Sequence, residues 1–141
     1  MRRKKLFLML VIIATFFGCS EEDDKKTNFL YELVTIQDAV FPEEFIEGEV
    51  YTILVSYFRP TDCHSFSGFD FTTSKNKRTI AVVNLVVDNN DCSDLEKTDL
   101  IEVSFDFQVG SENSYIFEFW EGRDENRENQ FFTIEIPVVK S

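Results

Sequence analysis

The sequence is poor in the side chains that most often carry chemistry. It has one histidine, His64, and three cysteines among 141 residues. None of the cysteines forms a C-x-x-C pair, the close spacing that zinc sites commonly use. No G-x-S-x-G sequence is present to hold a serine nucleophile on a strained turn. We therefore predict a protein that is not an enzyme and that has no metal site and no cofactor.

Positive charge is also scarce. The chain has 14 Lys and Arg against 26 Asp and Glu, which gives a formal net charge of −12. Such an excess of negative charge repels the phosphates of nucleic acids and anionic lipid surfaces. We expect no nucleic-acid partner.

Long apolar runs are absent beyond the N-terminal region. Residues 6–17, LFLMLVIIATFF, form the one extended apolar segment. Its length suits an export signal but falls short of the roughly 20 residues that a membrane-spanning helix needs. Four basic residues precede the segment and Gly18 follows it, as in export signals.

The residues that end at Cys19 resemble the lipobox of bacterial lipoproteins, roughly Leu-Ala-Gly-Cys, with Phe16 and Phe17 as departures. This resemblance implies a signal peptide over residues 1–18, acylation of Cys19 and a membrane anchor through that residue. The SEEDD run resembles the export tag of surface lipoproteins in Bacteroidota-type bacteria. Residues 19–28 then form a lipidated, acidic linker, and the expected location is the outer membrane, exposed at the cell surface. A solvated linker on a periplasm-facing anchor is the alternative.

Cleavage before Cys19 leaves two cysteines in an oxidising compartment, where Cys63 and Cys92 allow one intramolecular pairing. A disulfide that closes a loop of about 30 residues is worth roughly 3.5 kcal/mol in the chain-entropy model. The alternatives are two separate thiols, or a metal bound by Cys63, His64 and Cys92, which lacks a fourth ligand. Cleavage also removes four basic residues. The mature chain then has 10 basic and 26 acidic residues, and its net charge is about −16.

The pattern of apolar residues repeats with period two, and no segment keeps a period of 3.6 over two helical turns. This pattern predicts seven strands, at 29–36, 50–58, 68–72, 79–87, 100–109, 114–120 and 130–139. Seven short strands with turn-rich loops indicate an antiparallel β-sandwich over residues 29–141, with a small meander barrel as the alternative. Residues 93–97 are the only candidate for a helical turn. Pro137 predicts an edge strand or the end of pairing for the last strand.

Alternating strand directions place the predicted loops 59–67 and 88–98 at the same end of the sandwich. Cys63 lies in the first loop and Cys92 in the second, and a disulfide needs Cα atoms within about 7 Å. The cysteine pairing and the strand count therefore support each other. The predicted loop 121–129 joins the other two at that end.

A second resemblance covers roughly residues 49–138. The stretches RPTDCHSFSGFDF and YIFEFWEGRDENRENQFFTIEIPV, with Cys92 between them, resemble a family of small, uncharacterised Bacteroidota surface lipoproteins. The resemblance implies an immunoglobulin-like (Ig-like) sandwich for residues 29–141, and it implies no activity. Trp120 ends a late strand and does not occupy the strand-C position of the buried tryptophan in antibody domains.

Trp120, Phe66 and Phe69 are the candidate ligand contacts, because they lie at or beside the predicted loop end. An exposed aromatic ring can stack on a sugar or anchor a protein partner. We expect a non-catalytic module that binds a glycan or a protein through these loops, with an accessory subunit of an envelope complex as the alternative. A small hydrolase that uses His64 is a third hypothesis. Calcium at the acidic loops is the alternative to plain solvated turns.

Overall fold

The computed structural model describes residues 27–88 and 91–141, so the predicted signal peptide, Cys19 and most of the linker lie outside the described residues. In these ranges the chain forms nine β-strands. They are β1 (Asn28–Val34), β2 (Ile36–Val40), β3 (Phe45–Ile46), β4 (Val50–Phe58), β5 (His64–Ser74), β6 (Lys77–Asp88), β7 (Leu100–Gln108), β8 (Ser114–Arg123) and β9 (Asn129–Val139). No helix in the described part of the chain is long and apolar enough to cross a membrane.

The strands form two separate sheets. The predicted all-β sandwich is therefore confirmed, and the alternative of a small meander barrel is wrong. The larger sheet contains β1, β5, β6, β8, β9 and β3, and the smaller one contains β2, β4 and β7. β6 is the central strand of the larger sheet. β5 pairs along one edge of β6, while β8 and β1 share its other edge, opposite residues 77–80 and 82–88.

The predicted count of seven strands and the purely antiparallel order are wrong. The first predicted strand, 29–36, is two strands, because the chain bends between β1 and β2 and passes from the larger to the smaller sheet. The short strand β3 is an addition, and it pairs in parallel with β9. β6 and β8 also pair in parallel. The alternation of residues reports which segments are extended, but not which strands become neighbours.

Two local predictions also differ from the structure. β5 begins at His64, four residues before the predicted start, because a β-bulge between Phe66 and Gly68 lets the strand continue where the alternation breaks. Residues 93–97 form turns instead of a helical turn. Glu96 and Lys97 have φ values of 45° and 59°, and this left-handed backbone cannot continue a right-handed helix.

The core lies between the two sheets and is largely aromatic. Alternate residues of β4, β7 and β8 point into it, as the period of two predicts. The fully buried ring of Phe45 from β3 packs against Tyr51, Phe107 and Phe117, with ring centroids 4.9 to 6.1 Å away. Pro137 lies opposite Ser114 at the end of the β8–β9 ladder, which agrees with its predicted position.

The connection between β7 and β8 contains a tyrosine corner. The Gly110 N–H donates a hydrogen bond of 2.9 Å to the hydroxyl of Tyr115, five residues later at the start of β8. Such a corner is a feature of Ig-like sandwiches. A β-carbon on Gly110 would lie 2.6 Å from that hydroxyl, so glycine is required here.

Candidate functional site

The predicted disulfide is present and joins two loops at one end of the sandwich. The Cα atoms of Cys63 and Cys92 are 5.5 Å apart. The Asp62 N–H donates to the carbonyl of Ser93 at 3.1 Å, and the Ser93 N–H donates to the Asp62 carboxylate at 2.8 Å. The two loops therefore form one cross-linked unit, which we call the disulfide end.

Among the described residues, one group of side-chain atoms of the kind that bind metal ions lies close together, and it is at the disulfide end. The Asp62 carboxylate and the sulfurs of Cys63 and Cys92 lie within 4.8 Å of one another. Both sulfurs are bonded in the disulfide, so the carboxylate is the only ligand that the group offers.

His64 is buried under the disulfide end in a chain of hydrogen bonds. Its Nδ1 lies 2.7 Å from the Thr61 hydroxyl, and its Nε2 lies 3.1 Å from the Glu32 carboxylate. This order resembles a hydrolase triad. The Thr61 hydroxyl, however, also accepts the Cys63 N–H, and the Thr61 carbonyl accepts the His64 N–H, which closes a turn. The arrangement ties β1 to the start of β5.

A groove of about 500 Å³ opens beside the disulfide end, which we call the end groove. Its walls come from the bend between β1 and β2, the end of β4 and residues 94–97. Its polar lining includes both basic and acidic side chains, those of Arg59, Lys97, Asp94 and Glu96. The Arg59 Nε donates to the Asp99 carboxylate at 2.5 Å. Two of the three loops predicted to contact a ligand, 59–67 and 88–98, therefore border this groove.

A second groove lies on the outer face of the larger sheet, around Trp120. It has a volume of about 420 Å³ and is lined by Glu32, Leu33, Trp120 and Arg123; we call it the tryptophan groove. A smaller space of about 180 Å³ shares three of these residues and extends to Asp70, Thr72 and Phe131, which lie on neighbouring strands. Trp120 points outward because Phe119, the preceding residue in β8, points into the core.

A single amide fixes the two largest side chains of the tryptophan groove. The Asn129 Oδ1 accepts a hydrogen bond of 3.1 Å from the Trp120 indole N–H and one of 3.2 Å from the Arg123 Nε. The indole is therefore held by its polar edge while its ring lines the groove. A flat apolar ring surrounded by a few polar groups is a typical small-ligand surface.

The three predicted contact residues do not share one surface. Phe66 and Phe69 lie on the inner side of β5, where their ring centroids are 5.3 Å apart. Phe66 also packs against Tyr57 and Phe69 packs against Phe105. Trp120 lies on the opposite face of the sheet, where its indole N–H bonds to Asn129 at the start of β9. The sequence pattern does not indicate its neighbours Leu33, Asp70 and Phe131, because they come from strands whose pairing the period of two does not report. Arg123 lies in β8 itself, and the β-bulge between Trp120 and Gly122 brings it to the same face.

Two buried polar side chains lie between the sheets. The Tyr57 hydroxyl and both polar atoms of the Asn84 amide have no hydrogen-bond partner of standard geometry in the described part of the chain. Burial raises the pKa of Tyr57 above 10.0; the nearby Asn84 amide and the Arg59 guanidinium oppose this rise, and Asp99 adds to it. The hydroxyl is thus held in its neutral form.

Comparison of the chain with protein-family models, with curated proteins and with solved structures found no match. The lipoprotein resemblance and the ligand role of Trp120 remain predictions.

Proposed function

We propose that this protein is a lipid-anchored, non-catalytic binding module of the bacterial cell envelope, displayed on the outer-membrane surface, and that it holds a glycan in the tryptophan groove. The order of charge, apolar run, glycine and cysteine around Cys19 supports the anchor. The Cys63–Cys92 disulfide supports an oxidising compartment.

The observation that carries the glycan proposal is the fixed orientation of Trp120. Its ring lines an open groove, and its N–H is already bonded to Asn129. The C–H face of a sugar ring can stack on such an indole without displacing a hydrogen bond. Arg123 and Glu32 at the groove, and Asp70 in the adjoining space, can bond to the sugar hydroxyls. The two carboxylates favour a neutral sugar over an acidic one because like charges repel.

The chain enters the domain close to the disulfide end. β1 begins at Asn28, opposite the end of β6 and close to the disulfide end. Nine residues separate Cys19 from Asn28 and span at most about 30 Å, so a lipid anchor keeps the disulfide end near the bilayer. Leu33, which lines both the tryptophan groove and the end groove, lies five residues further along β1, about 17 Å from Asn28, so both grooves are set back from the chain entry.

Glycan-array binding of residues 20–141, exported with an ordinary signal peptide, tests the ligand. We expect Trp120→Ala to weaken binding of a neutral glycan about tenfold, since stacking and ring burial together are worth about 1 to 2 kcal/mol. Phe66→Ala is the matched control, because Phe66 is a partly exposed ring on the opposite face. Equal binding by the Trp120→Ala protein and the unmodified domain would exclude this groove.

The anchor has a separate test. Full-length protein should incorporate labelled fatty acid and fractionate with the outer membrane, and Cys19→Ser should lose both properties. Protease added to intact cells should remove the domain if it faces the medium. A domain that survives until the cells are lysed would place the anchor on the periplasmic side instead.

An accessory subunit of an envelope complex is the second candidate function. The exposed apolar edge of β1 favours it, since exposed apolar strand edges are sites of protein contact. Purification from detergent-solubilised membranes distinguishes the two functions. A stoichiometric complex with other envelope proteins supports the subunit, and isolation of this chain alone supports the binding module.

A further inference from the structure

β1 has an open edge that carries large apolar side chains. One edge of β1 pairs with β6, and no strand in the described part of the chain pairs with the other. The exposed fractions of Phe29, Leu30, Tyr31 and Leu33 are 57%, 50%, 71% and 42%. The only charged side chain in the strand is that of Glu32. A long apolar edge without proline, lysine or a bulge can pair with another strand.

The other open edges of the two sheets have the features that normally prevent such pairing. β7 carries the charged residues Glu102 and Asp106 on its outward face. The ladder of β5 is interrupted by the bulge next to Gly68. Both features disfavour pairing with a further strand. β9 has Pro137 and is partly covered by β3. β2 is five residues long. β1 therefore differs from the other edge strands in lacking protection.

We infer that β1 is a self-association surface and that its partner is a second copy of this chain, paired antiparallel about a twofold axis. A twofold interface requires a surface that complements itself. Phe29, Tyr31 and Leu33 lie on the outer face of β1, with Leu30 and Glu32 on the inner face. Directly opposed residues of antiparallel strands lie on the same face of the sheet, so each residue must oppose one on its own face of β1. This holds only if the twofold axis passes through a residue that pairs with its own copy, and not between two consecutive residues.

The side chains select an axis at Leu30. This register pairs Leu30 with Leu30, Phe29 with Tyr31 on both sides, and Asn28 with Glu32. It therefore makes two aromatic pairs and opposes no like charges. An axis at Glu32 would set two carboxylates against each other.

An axis at Tyr31 is excluded by the surroundings of the far end of β1. It would extend the pairing beyond Glu32, which already lines the tryptophan groove, to Leu33 and to Val34, which is only 5% exposed. The Leu30 register uses residues 28–32 and keeps most of the contact on the more exposed part of β1.

Charge favours the antiparallel arrangement. Residues 21–26, EEDDKK, precede β1 closely and carry a net charge of −2, and parallel pairing would place these segments of the two copies side by side. Antiparallel pairing of residues 28–32 separates the two starting points by four residue steps, about 14 Å, which exceeds the Debye length of about 8 Å at physiological salt. The excess negative charge of the chain then opposes the dimer only weakly.

The contact is small, since each copy contributes one strand. Interfaces of this size are typical of transient complexes, so we expect a dissociation constant on the order of 100 µM in solution. The proposed lipid anchor would raise the local concentration of the copies. The pairing itself does not depend on the anchor or on a glycan.

Sedimentation velocity from 5 to 500 µM tests the proposal on residues 20–141, which include all nine described strands. We expect concentration-dependent dimers, at least tenfold weaker in Tyr31→Lys. Val50→Lys is the matched control, because Val50 is 58% exposed on the smaller sheet, and it should dimerise like the unmodified domain. A monomer up to 500 µM, or a Tyr31→Lys protein that dimerises as tightly as the control, would overturn the proposal.

A cross-link tests the register. Leu30→Cys should form an interchain disulfide under mild oxidation, and Val50→Cys, at a similarly exposed position, should not. Equal cross-linking of the two variants would overturn the β1 interface. Dimers should persist in Trp120→Ala, so a failure of the glycan proposal and a failure of this one are distinguishable.

Discussion

Removal of the Cys63–Cys92 disulfide is the sharpest test of how this fold is stabilised. The two cysteines are 29 residues apart in the chain. A cross-link over a loop of this length lowers the conformational entropy of the unfolded chain by an amount worth about 3.5 kcal/mol at 25 °C. A domain of this size has a net stability of roughly 5–15 kcal/mol, so the bond is a large fraction of the total.

The structure indicates that this loss arises mainly in the unfolded state. The loops keep their mutual hydrogen bonds without the disulfide, including the one from the Asp62 N–H to the Ser93 carbonyl. The folded geometry should therefore persist in Cys63→Ala, Cys92→Ala and the double variant. Each single variant already breaks the cross-link, so we expect all three to lose a similar amount, about 3 to 4 kcal/mol.

Urea unfolding followed by circular dichroism measures this loss. The midpoint should fall, and the m-value should rise because the uncross-linked chain exposes more surface when it unfolds. A free energy of unfolding within 1 kcal/mol of the parent in the double variant would refute the entropy argument. Losses in the two single variants that add up in the double variant would also refute it, since they would come from lost packing instead.

Three further predictions concern the core and the tyrosine corner. Burial raises the pKa of Tyr57, so its neutral hydroxyl contributes fully to stability below pH 10 and less above it. Between pH 8 and pH 11, the free energy of unfolding measured with urea should therefore fall less in Tyr57→Phe than in the parent. Equal falls would contradict this reasoning. Phe117→Ala should cost about 3 to 5 kcal/mol in thermal or urea unfolding, whereas Phe131→Ala, partly exposed on the outer face, should cost less than about 1 kcal/mol; similar costs would contradict the described core. Gly110→Ala should lower the free energy of unfolding by about 1 to 3 kcal/mol, because the new methyl group meets the Tyr115 hydroxyl. In a Tyr115→Phe background the same substitution should cost much less, and an unchanged cost would exclude the contact.

Local burial could be predicted from the sequence because it follows the period of the strand. The predicted strand 50–58 has the observed bounds, and Phe117 and Phe119 point inward as their alternation indicates. The disulfide followed from counting cysteines in an assumed oxidising compartment. These features depend on neighbours within a few residues, or on the identity of two side chains.

The pattern of residues was less informative for the central strand. β6 contains the nearly continuous apolar stretch IAVVNLVV, a pattern typical of strands covered on both faces. Val82 and Val86 are buried in the core, but Val83 and Leu85 on the outer face are only half-buried. The outer apolar side chains of β6 are half-buried because the flanking strands β1 and β5 lie beside them. An apolar run therefore does not require a further layer of structure on the outer face.

The sequence by itself determined the class of the fold, the inward-facing residues of regular strands such as β4 and β8, and the bond between Cys63 and Cys92. Only the tertiary structure decided that the first predicted strand divides between two sheets, that β6 and β8 run parallel, and that Trp120 lies beside Leu33 and Arg123. Burial depends on a local period that every strand carries in its own residues. Strand pairing depends on competition among distant segments for the same edge, and that competition is resolved only when the whole chain packs.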